Sequence, residues 1–387
     1  MRRYRIAFIT LADANDRTTW SGTNFYMLQS IRKHLGYAKT LGPLDGGWRL
    51  RVAAIANFLL LHLTGKRINY RDSFFLAKAY SKKIERLLKK DKYDIIIAPA
   101  GIATLAALCN SIPSVYINDR SIPSGLNYHP ILTSLTKYSR NSSFLCEAKA
   151  ISRSFLTVYS SPWAGEAAKT YYSDLSQKIS CIPFGANEEA PPVLNHDKGV
   201  SKTSIQLLFI GVKWLEKGGD IAYETLLKLH EAGITAKLHV VGITPPTEIL
   251  DNPNVISHGY LNKNIAADFD KLKNLFLTSD FFILPTRFEA YGLVFCEAAS
   301  YGLPAIATRT GGIPGIIQHG KTGILISYDQ RGDAYAAEIM DLIKKPEVYL
   351  EMSRAARKRY EETLNWDAFG LSLRKKVDDY FSSKSSL

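Results

Sequence analysis

The sequence has few cysteines, no long hydrophobic run and little acidic charge in its first half. Its four cysteines are scattered, without a C-x-x-C pair or a nearby histidine. This pattern indicates neither a disulfide framework nor a zinc site, and it favours a reducing compartment. The longest apolar run, residues 52–63, contains Asn57 and His62 and is shorter than the roughly 20 residues that a membrane span needs. We therefore predict no transmembrane helix.

The net charge of +13 comes from the first half of the chain. Residues 1–200 hold 27 Lys and Arg against 14 Asp and Glu, whereas the remainder holds 22 of each. The densest basic stretch, 66–94, follows the apolar residues 51–63. One interpretation is a solvated basic helix next to a core helix; another is a patch over residues 49–92 that docks on anionic lipid. Because no recognition helix, RNP-like aromatic motif or zinc finger is present, we predict no nucleic-acid partner.

Alternation of apolar strands and amphipathic helices predicts the fold class and the domains. The alternation stops in the polar, proline-containing residues 188–203 and then restarts. We expect an α/β protein with two Rossmann-like domains facing a deep cleft. The predicted parts are an N-terminal domain (1–187), a linker (188–203), a C-terminal domain (204–365), and a C-terminal helix (366–387) that packs back toward the N-terminal domain.

Residues 281–298 place two carboxylates around the start of a helix. They read FFILPTRFEAYGLVFCEA: a strand, a loop with Glu289, a glycine at 292, and a helix with Glu297. The first N–H groups of a helix attract anions, which suits a diphosphate. Eight residues of helix span roughly 12 Å. The segment therefore fits a ligand with a sugar at one end and a nucleotide at the other.

Four motifs, in order, resemble the GT-B fold glycosyltransferases, and specifically glycosyltransferase family 4 with its E-x7-E segment. The resemblance covers nearly the whole chain, and it implies that the N-terminal domain (1–187) binds the acceptor and the C-terminal domain (204–365) binds the nucleotide sugar. The motifs are VYSSPWAGEAAKTYYSDLSQKISCIPFGAN (158–187), FIGVKWLEKGGDIAYETL (209–226), PTRFEAYGLVFCEA (285–298) and TRTGGIPGIIQHGKTGILI (308–326).

The resemblance implies roles for individual residues. Glu289, Lys217 and Asp119 would be the catalytic residues, with Lys217 and Lys213 neutralising the diphosphate. Glu297 would hold the ribose. The other donor-binding residues would be Gly22, Ala290, Tyr291, Gly292, Leu293, Val294, Gly259 and Tyr260. Gly22 alone is equally compatible with a turn glycine.

The chain departs from the family pattern at two positions. Val212 stands where many members carry arginine, and Asp119, followed by Arg120, occupies the neighbourhood of a first-domain histidine. The resemblance implies retention of anomeric configuration, and no residue is a convincing covalent nucleophile. A front-face mechanism without metal or cofactor is the expectation.

The resemblance thus implies a metal-independent retaining hexosyltransferase. Its partners would be a UDP- or GDP-linked sugar, a glycan or lipid-linked acceptor in cell-envelope polysaccharide or glycolipid synthesis, and an anionic membrane surface. We expect it in the cytoplasm, at the inner face of the membrane. The alternatives are another nucleotide-sugar enzyme, such as a 2-epimerase or hydrolase, and a non-catalytic nucleotide-sugar-binding adaptor.

Overall fold

The computed structural model describes residues 2–188, 191 and 204–385, which form two compact units. Unit 1 comprises Met1–Pro183 and Trp366–Leu387, and unit 2 comprises Phe184–Asn365. The predicted linker lies outside the described residues except for its residues 188 and 191. The division falls after residue 183 rather than 187 because the chain beyond it bonds within unit 2: the Ala186 N–H donates to the carbonyl of Leu364 at 2.8 Å.

Unit 1 contains a parallel sheet of six strands in the order β2-β1-β3-β4-β5-β6 among the described residues. Its strands are β1 (Tyr4–Phe8), β2 (Gly36–Thr40), β3 (Ile95–Pro99), β4 (Ser114–Asn118), β5 (Leu156–Tyr159) and β6 (Ile179–Cys181). Its helices are α1 (Thr23–His34), α2 (Gly47–Thr64), α3 (Phe74–Leu88), α4 (Ile102–Leu105), α5 (Ile122–Gly125), α6 (Lys137–Arg153), α7 (Pro162–Tyr171) and α14 (Trp366–Ser385). Short 3₁₀ segments occur at Thr19–Gly22, Pro130–Leu132 and Ser173–Lys178.

Unit 2 repeats this arrangement, with the strand order β12-β11-β10-β7-β8-β9. Its strands are β7 (Ser204–Ile210), β8 (Thr235–Val241), β9 (Val255–Ser257), β10 (Phe281–Leu284), β11 (Ala305–Thr308) and β12 (Gly323–Ile326). Its helices are α8 (Gly219–Glu231), α9 (Thr247–Leu250), α10 (Ala266–Thr278), α11 (Leu293–Ser300), α12 (Gly332–Lys344) and α13 (Pro346–Glu362), with a 3₁₀ turn at Ile313–Gly315. The α/β class and the two Rossmann-like sheets are as predicted.

Strands β3 and β10 are apolar along their whole length because helices cover both faces of each sheet. Every residue of β3 (IIIAP) and of β10 (FFIL) is buried. A parallel sheet covered on both faces has no solvent side, so its strands lose the alternation of polar and apolar residues. These runs are the ones from which the sequence predicted strands.

Two elements differ from the sequence-based expectation. The edge strand β2 was missed, because its five residues alternate between buried and exposed and follow directly on a helix. Residues 104–110 (TLAALCN), whose composition favours a helix, are helical only at Thr104 and Leu105, the last two residues of α4. Both are short segments whose state depends on contacts with the neighbouring strands and helices.

The last helix, α14, packs within unit 1 against β1 and α1. The Arg374 guanidinium donates to the carbonyl of His34 at 2.9 Å and to that of Arg2 at 2.6 Å. The Tyr4 hydroxyl donates to the Asp378 carboxylate at 2.6 Å. These bonds explain why residues 366–385 belong with a sheet that lies hundreds of residues earlier in the chain.

Helix α2 is not a core helix, and the first interpretation of residues 51–63 is wrong. None of its 18 residues is buried. Within the described part of the chain, no helix combines the length and the hydropathy needed to cross a bilayer.

Candidate donor-binding site

The topology of unit 2 identifies one place where a ligand is expected. Read from the other edge, its order β9-β8-β7-β10-β11-β12 is that of a doubly wound nucleotide-binding sheet. The chain connections run in opposite directions from β7 and β10, two neighbouring strands, so a crevice opens at their carboxyl ends. The loop after β7 carries Lys217, and the loop after β10 carries Glu289.

Lys217 and Glu289 form an ion pair in this crevice. The Lys217 Nζ lies 2.5 Å from Glu289 Oε2, and the two side chains are only 18% and 17% exposed. The ammonium also lies 5.5 Å from the centre of the Phe288 ring. The structure therefore brings together two of the three predicted catalytic residues, 72 positions apart in the chain.

Backbone hydrogen bonds hold the two loops against each other. The carbonyl of Glu216 accepts from the Arg287 N–H at 2.8 Å and from the Thr286 hydroxyl at 3.2 Å. Gly218 is in the left-handed region (φ +73°), and a Cβ there would lie 2.0 Å from the Pro285 carbonyl oxygen. A glycine is thus required where the β7 loop passes the end of β10.

A third loop, from β11, supports the backbone of the segment that follows Glu289. The Gly312 N–H donates to the carbonyl of Glu289 at 3.1 Å. A Cβ on Gly312 would lie 2.2 Å from the carbonyl oxygen of Ala290. The predicted donor-contacting backbone is therefore held in place by the TGG sequence of the next motif.

Helix α11 begins beside this pair and has no side-chain cap. Gly292 is its N-cap residue in the left-handed region (φ +98°), and no acidic residue occupies the first turn, which begins with Leu293 and Val294. By contrast, Ser161 caps α7 through the Ala164 N–H. An uncapped N-terminus leaves N–H groups and positive dipole potential available to an anion.

Glu297, the second carboxylate of the motif, is buried in α11 and paired with a lysine that the sequence analysis missed. The Lys263 Nζ lies 2.5 Å from Glu297 Oε1, and the carboxylate side chain is 9% exposed. Burial raises the pKa of Glu297, and the Lys263 ammonium offsets only part of that rise. The only sequence signal for Lys263 was indirect: an acid on an apolar helix needs a partner.

The remaining predicted residues of unit 2 lie at different depths. Lys213 pairs with Glu216 at 2.9 Å on the surface, rather than with the motif acids. The Tyr291 ring is buried, and its hydroxyl donates to the carbonyl of Phe184 at 2.8 Å. Gly259, in the left-handed region, follows β9, and the next residue, Tyr260, is 60% exposed.

In unit 1 the structure connects the two predicted residues through a third. Gly22 is the left-handed N-cap of α1 (φ +87°), and Asp119 directly follows β4. The Trp20 indole N–H donates to the Asp119 carboxylate at 2.9 Å. Trp20 therefore joins the glycine loop to the carboxyl end of β4, an association that no motif indicated.

Comparison with solved structures gives the class of the fold. Sucrose-phosphate synthase from Thermosynechococcus elongatus aligns with a TM-score of 0.68 and 17% identity, over 99% of this chain and 100% of that one. The Anabaena protein Alr3699/HepE, in complex with UDP-glucose, aligns with a TM-score of 0.60 and 14% identity, over 98% and 100%. The fold is that of the GT-B glycosyltransferases.

Sequence comparison finds similarity to a known family in unit 2. Residues 204–345 match the family described as glycosyl transferases group 1. An uncharacterized 41.2 kDa protein in the cps region of Klebsiella pneumoniae is 30% identical over 151 residues, 38% of each chain. The first curated relatives are matched over only 12 to 38% of their own length.

Proposed function

We propose that the protein is a retaining glycosyltransferase of family 4 that moves a hexose from a nucleotide diphosphate sugar to a glycan or lipid-linked acceptor. The observation that carries the proposal is the Lys217–Glu289 pair at the crevice of a doubly wound sheet, beside the uncapped start of α11. A cation, a carboxylate and free helix N–H groups are the groups that a sugar diphosphate needs.

The diphosphate would lie between Lys217 and the first turn of α11. A lysine ammonium has three donors, so Lys217 can keep its bond to Glu289 while it donates to a phosphate oxygen. Glu289 would accept from hydroxyls of the donor hexose, and Glu297, oriented by Lys263, from the ribose hydroxyls.

The transfer step breaks the bond between the anomeric carbon and the diphosphate oxygen, and the acceptor oxygen bonds to the same face of that carbon. The acceptor proton passes to the departing diphosphate, so the step needs no protein nucleophile, metal or cofactor. Negative charge grows on the leaving diphosphate in the transition state, where a positioned cation stabilises it most. The Lys217 ammonium is that cation.

We infer a UDP-linked donor, because Alr3699/HepE, which shares the fold, is described in complex with UDP and with UDP-glucose. The relative from a cps region supports an acceptor in cell-envelope polysaccharide synthesis. We place the enzyme in the cytoplasm at the inner, anionic face of the membrane, since residues 49–92 contain twelve lysines and arginines against three acids.

A thermal-shift panel with UDP, GDP, ADP and their sugars tests the donor site. A ligand that binds only the folded state raises the melting temperature, and we expect UDP and UDP-sugars to do so. Lys217→Met should abolish both the shift and transfer, and Glu289→Ala should abolish transfer. Lys228→Met, at an exposed ion pair outside the site, is the matched control and should change neither.

Retention of transfer by Lys217→Met, or the absence of any shift with every nucleotide, would overturn the proposal. Turnover of the donor without an acceptor would instead indicate a hydrolase or epimerase. A shift without turnover under any acceptor condition would indicate a non-catalytic nucleotide-sugar-binding protein.

A further inference from the structure

Helix α2 exposes large apolar side chains to solvent, unlike an ordinary surface helix. Most of its half-buried residues follow one stripe, at positions 50, 53, 54, 57, 60 and 61, with two more at 47 and 49 in the first turn. Within this stripe Leu50 packs against the core of unit 1, and the Asn57 side chain accepts from the Ile68 N–H at 2.7 Å. The opposite face carries six large apolar side chains, together with the exposed residues Arg51, Ala56, His62 and Thr64. The six are Trp48, Val52, Ile55, Phe58, Leu59 and Leu63, and they are 50 to 81% exposed.

We expect another apolar surface to cover this face. An exposed contiguous apolar patch on a protein marks an interaction site. The stripe runs for about four turns of helix, with residues 48, 52, 55, 59 and 63 at positions i, i+4, i+7, i+11 and i+15. A flat stripe of this length fits the boundary between lipid headgroups and acyl chains, in which interfacial helices lie in the membrane plane.

The basic face of α3 starts where the apolar face of α2 starts. The ring centroids of Trp48 and Phe75 are 6.2 Å apart, and the Arg49 guanidinium lies over both rings, at 5.6 and 5.3 Å from their centres. Phe75 is 44% exposed at the first turn of α3. The exposed residues Lys78 and Lys82 follow it on the same stripe, at i+3 and i+7.

This stripe of α3 continues to Lys89 and is almost free of acids. Glu85 is the one acidic residue in the helix, and the neighbouring exposed residues are Lys83, Arg86 and Lys90. Cations beside an inserted apolar face attract the negative potential of anionic lipid. Tryptophan and arginine side chains have an apolar body and a polar end, so they are well placed at the lipid headgroups, between the acyl chains and water. Trp48 and Arg49 form such a cluster with Phe75.

We propose that α2 lies in the plane of an anionic membrane, with its stripe of exposed apolar residues inserted and the lysines of α3 on the lipid phosphates. This inference rests on the membrane location in the proposed function and not on the transfer reaction. Nucleotide binding in unit 2 and membrane docking in unit 1 can therefore fail separately.

The test is co-sedimentation of the full-length protein with phosphatidylcholine vesicles that contain or lack phosphatidylglycerol. Binding should require the anionic lipid and weaken as salt is raised. The double variant Ile55→Ser/Leu59→Ser should weaken binding about tenfold or more, because two inserted side chains are lost. The control Leu371→Ser, at a leucine that is 58% exposed on α14, should bind as the wild type does.

The charge contribution is tested with Lys82→Ala and Lys89→Ala. Each lysine near an anionic surface should change vesicle binding about fivefold. The fluorescence of Trp48 should shift to shorter wavelength with anionic vesicles, as a difference spectrum that Trp48→Phe abolishes. UDP-dependent thermal shifts, measured on the same variants, should be unchanged and show that unit 2 is folded.

Four results would overturn the inference. The wild type could fail to bind anionic vesicles, or the double variant could bind them as well as the wild type. A dimer that dissociates in Ile55→Ser/Leu59→Ser would show that a second copy covers the face. Salt-sensitive binding to nucleic acid in place of vesicles would show that the basic residues have another partner.

Discussion

The pair Lys263–Glu297 gives the sharpest quantitative prediction, because it can be broken from either side. The Glu297 carboxylate is nearly buried on α11, and Lys263 is 17% exposed. Removing one partner of a buried pair leaves an uncompensated charge and destabilises by about 3 to 5 kcal/mol. Glu297 can relieve part of this by taking up a proton, so we expect Lys263→Met to lower the free energy of unfolding of unit 2 by about 3 kcal/mol at neutral pH.

The double variant Lys263→Met/Glu297→Gln should recover most of that loss, since no buried charge remains. The pH dependence has a defined sign. The pKa of Glu297 is already raised by burial, so its protonated form is favoured in the folded state, and this contribution is lost as pH rises through the folded pKa. Without Lys263 that pKa rises further, and the loss caused by Lys263→Met should therefore be smaller at mildly acid pH than at neutral pH.

The assay is urea denaturation, with amide hydrogen exchange of β10 and β11 peptides to assign the transition to unit 2. Lys273→Met is the matched control, because Lys273 makes only a solvent-exposed pair with Asp270 at 3.8 Å, and it should change stability by less than about 0.5 kcal/mol. If Lys263→Met were as mild as this control, or if the double variant lost the sum of the two single losses, the pairing of a buried charge would not explain the role of Lys263.

Three further predictions concern other parts of the molecule. Gly312→Ala should abolish UDP-dependent thermal shifts, because the new methyl would overlap the Ala290 carbonyl; normal shifts would contradict the loop contact. Gly218→Ala should lower the melting temperature, because Gly218 has a positive φ and the new methyl group would overlap the Pro285 carbonyl oxygen. An unchanged melting temperature would show that alanine causes no strain at this position. Burial raises the pKa of Glu147, which accepts from three tyrosine hydroxyls in unit 1, to about 7. The free energy of unfolding of unit 1 should fall by about 3 kcal/mol as the pH rises from the pKa of Glu147 in the unfolded chain through about 7. Glu147→Gln should flatten this pH profile in denaturation experiments.

The sequence determined the parts of the protein whose cause is local. Fully apolar strands such as β3 and β10 are typical of a parallel sheet covered on both faces, and the order of strands and helices follows from their alternation. Gly292, ahead of an apolar helix, indicated where α11 begins, and Glu289 was correctly predicted to lie in the loop after a strand. The difference in net charge between the two halves could also be counted from the sequence, because it is a property of composition.

Only the tertiary structure decided which side chains meet. Lys217 and Glu289 form a pair because β7 and β10 are neighbours at the switch point of the sheet, and a strand order is set by packing rather than by any local pattern. Lys263 could not be assigned to Glu297, nor Trp20 to Asp119, because each pair joins segments that only the fold brings together. Helix α2 shows the same limit: periodicity gives a helix its two faces, but only the surrounding structure determines which of them is left exposed to solvent.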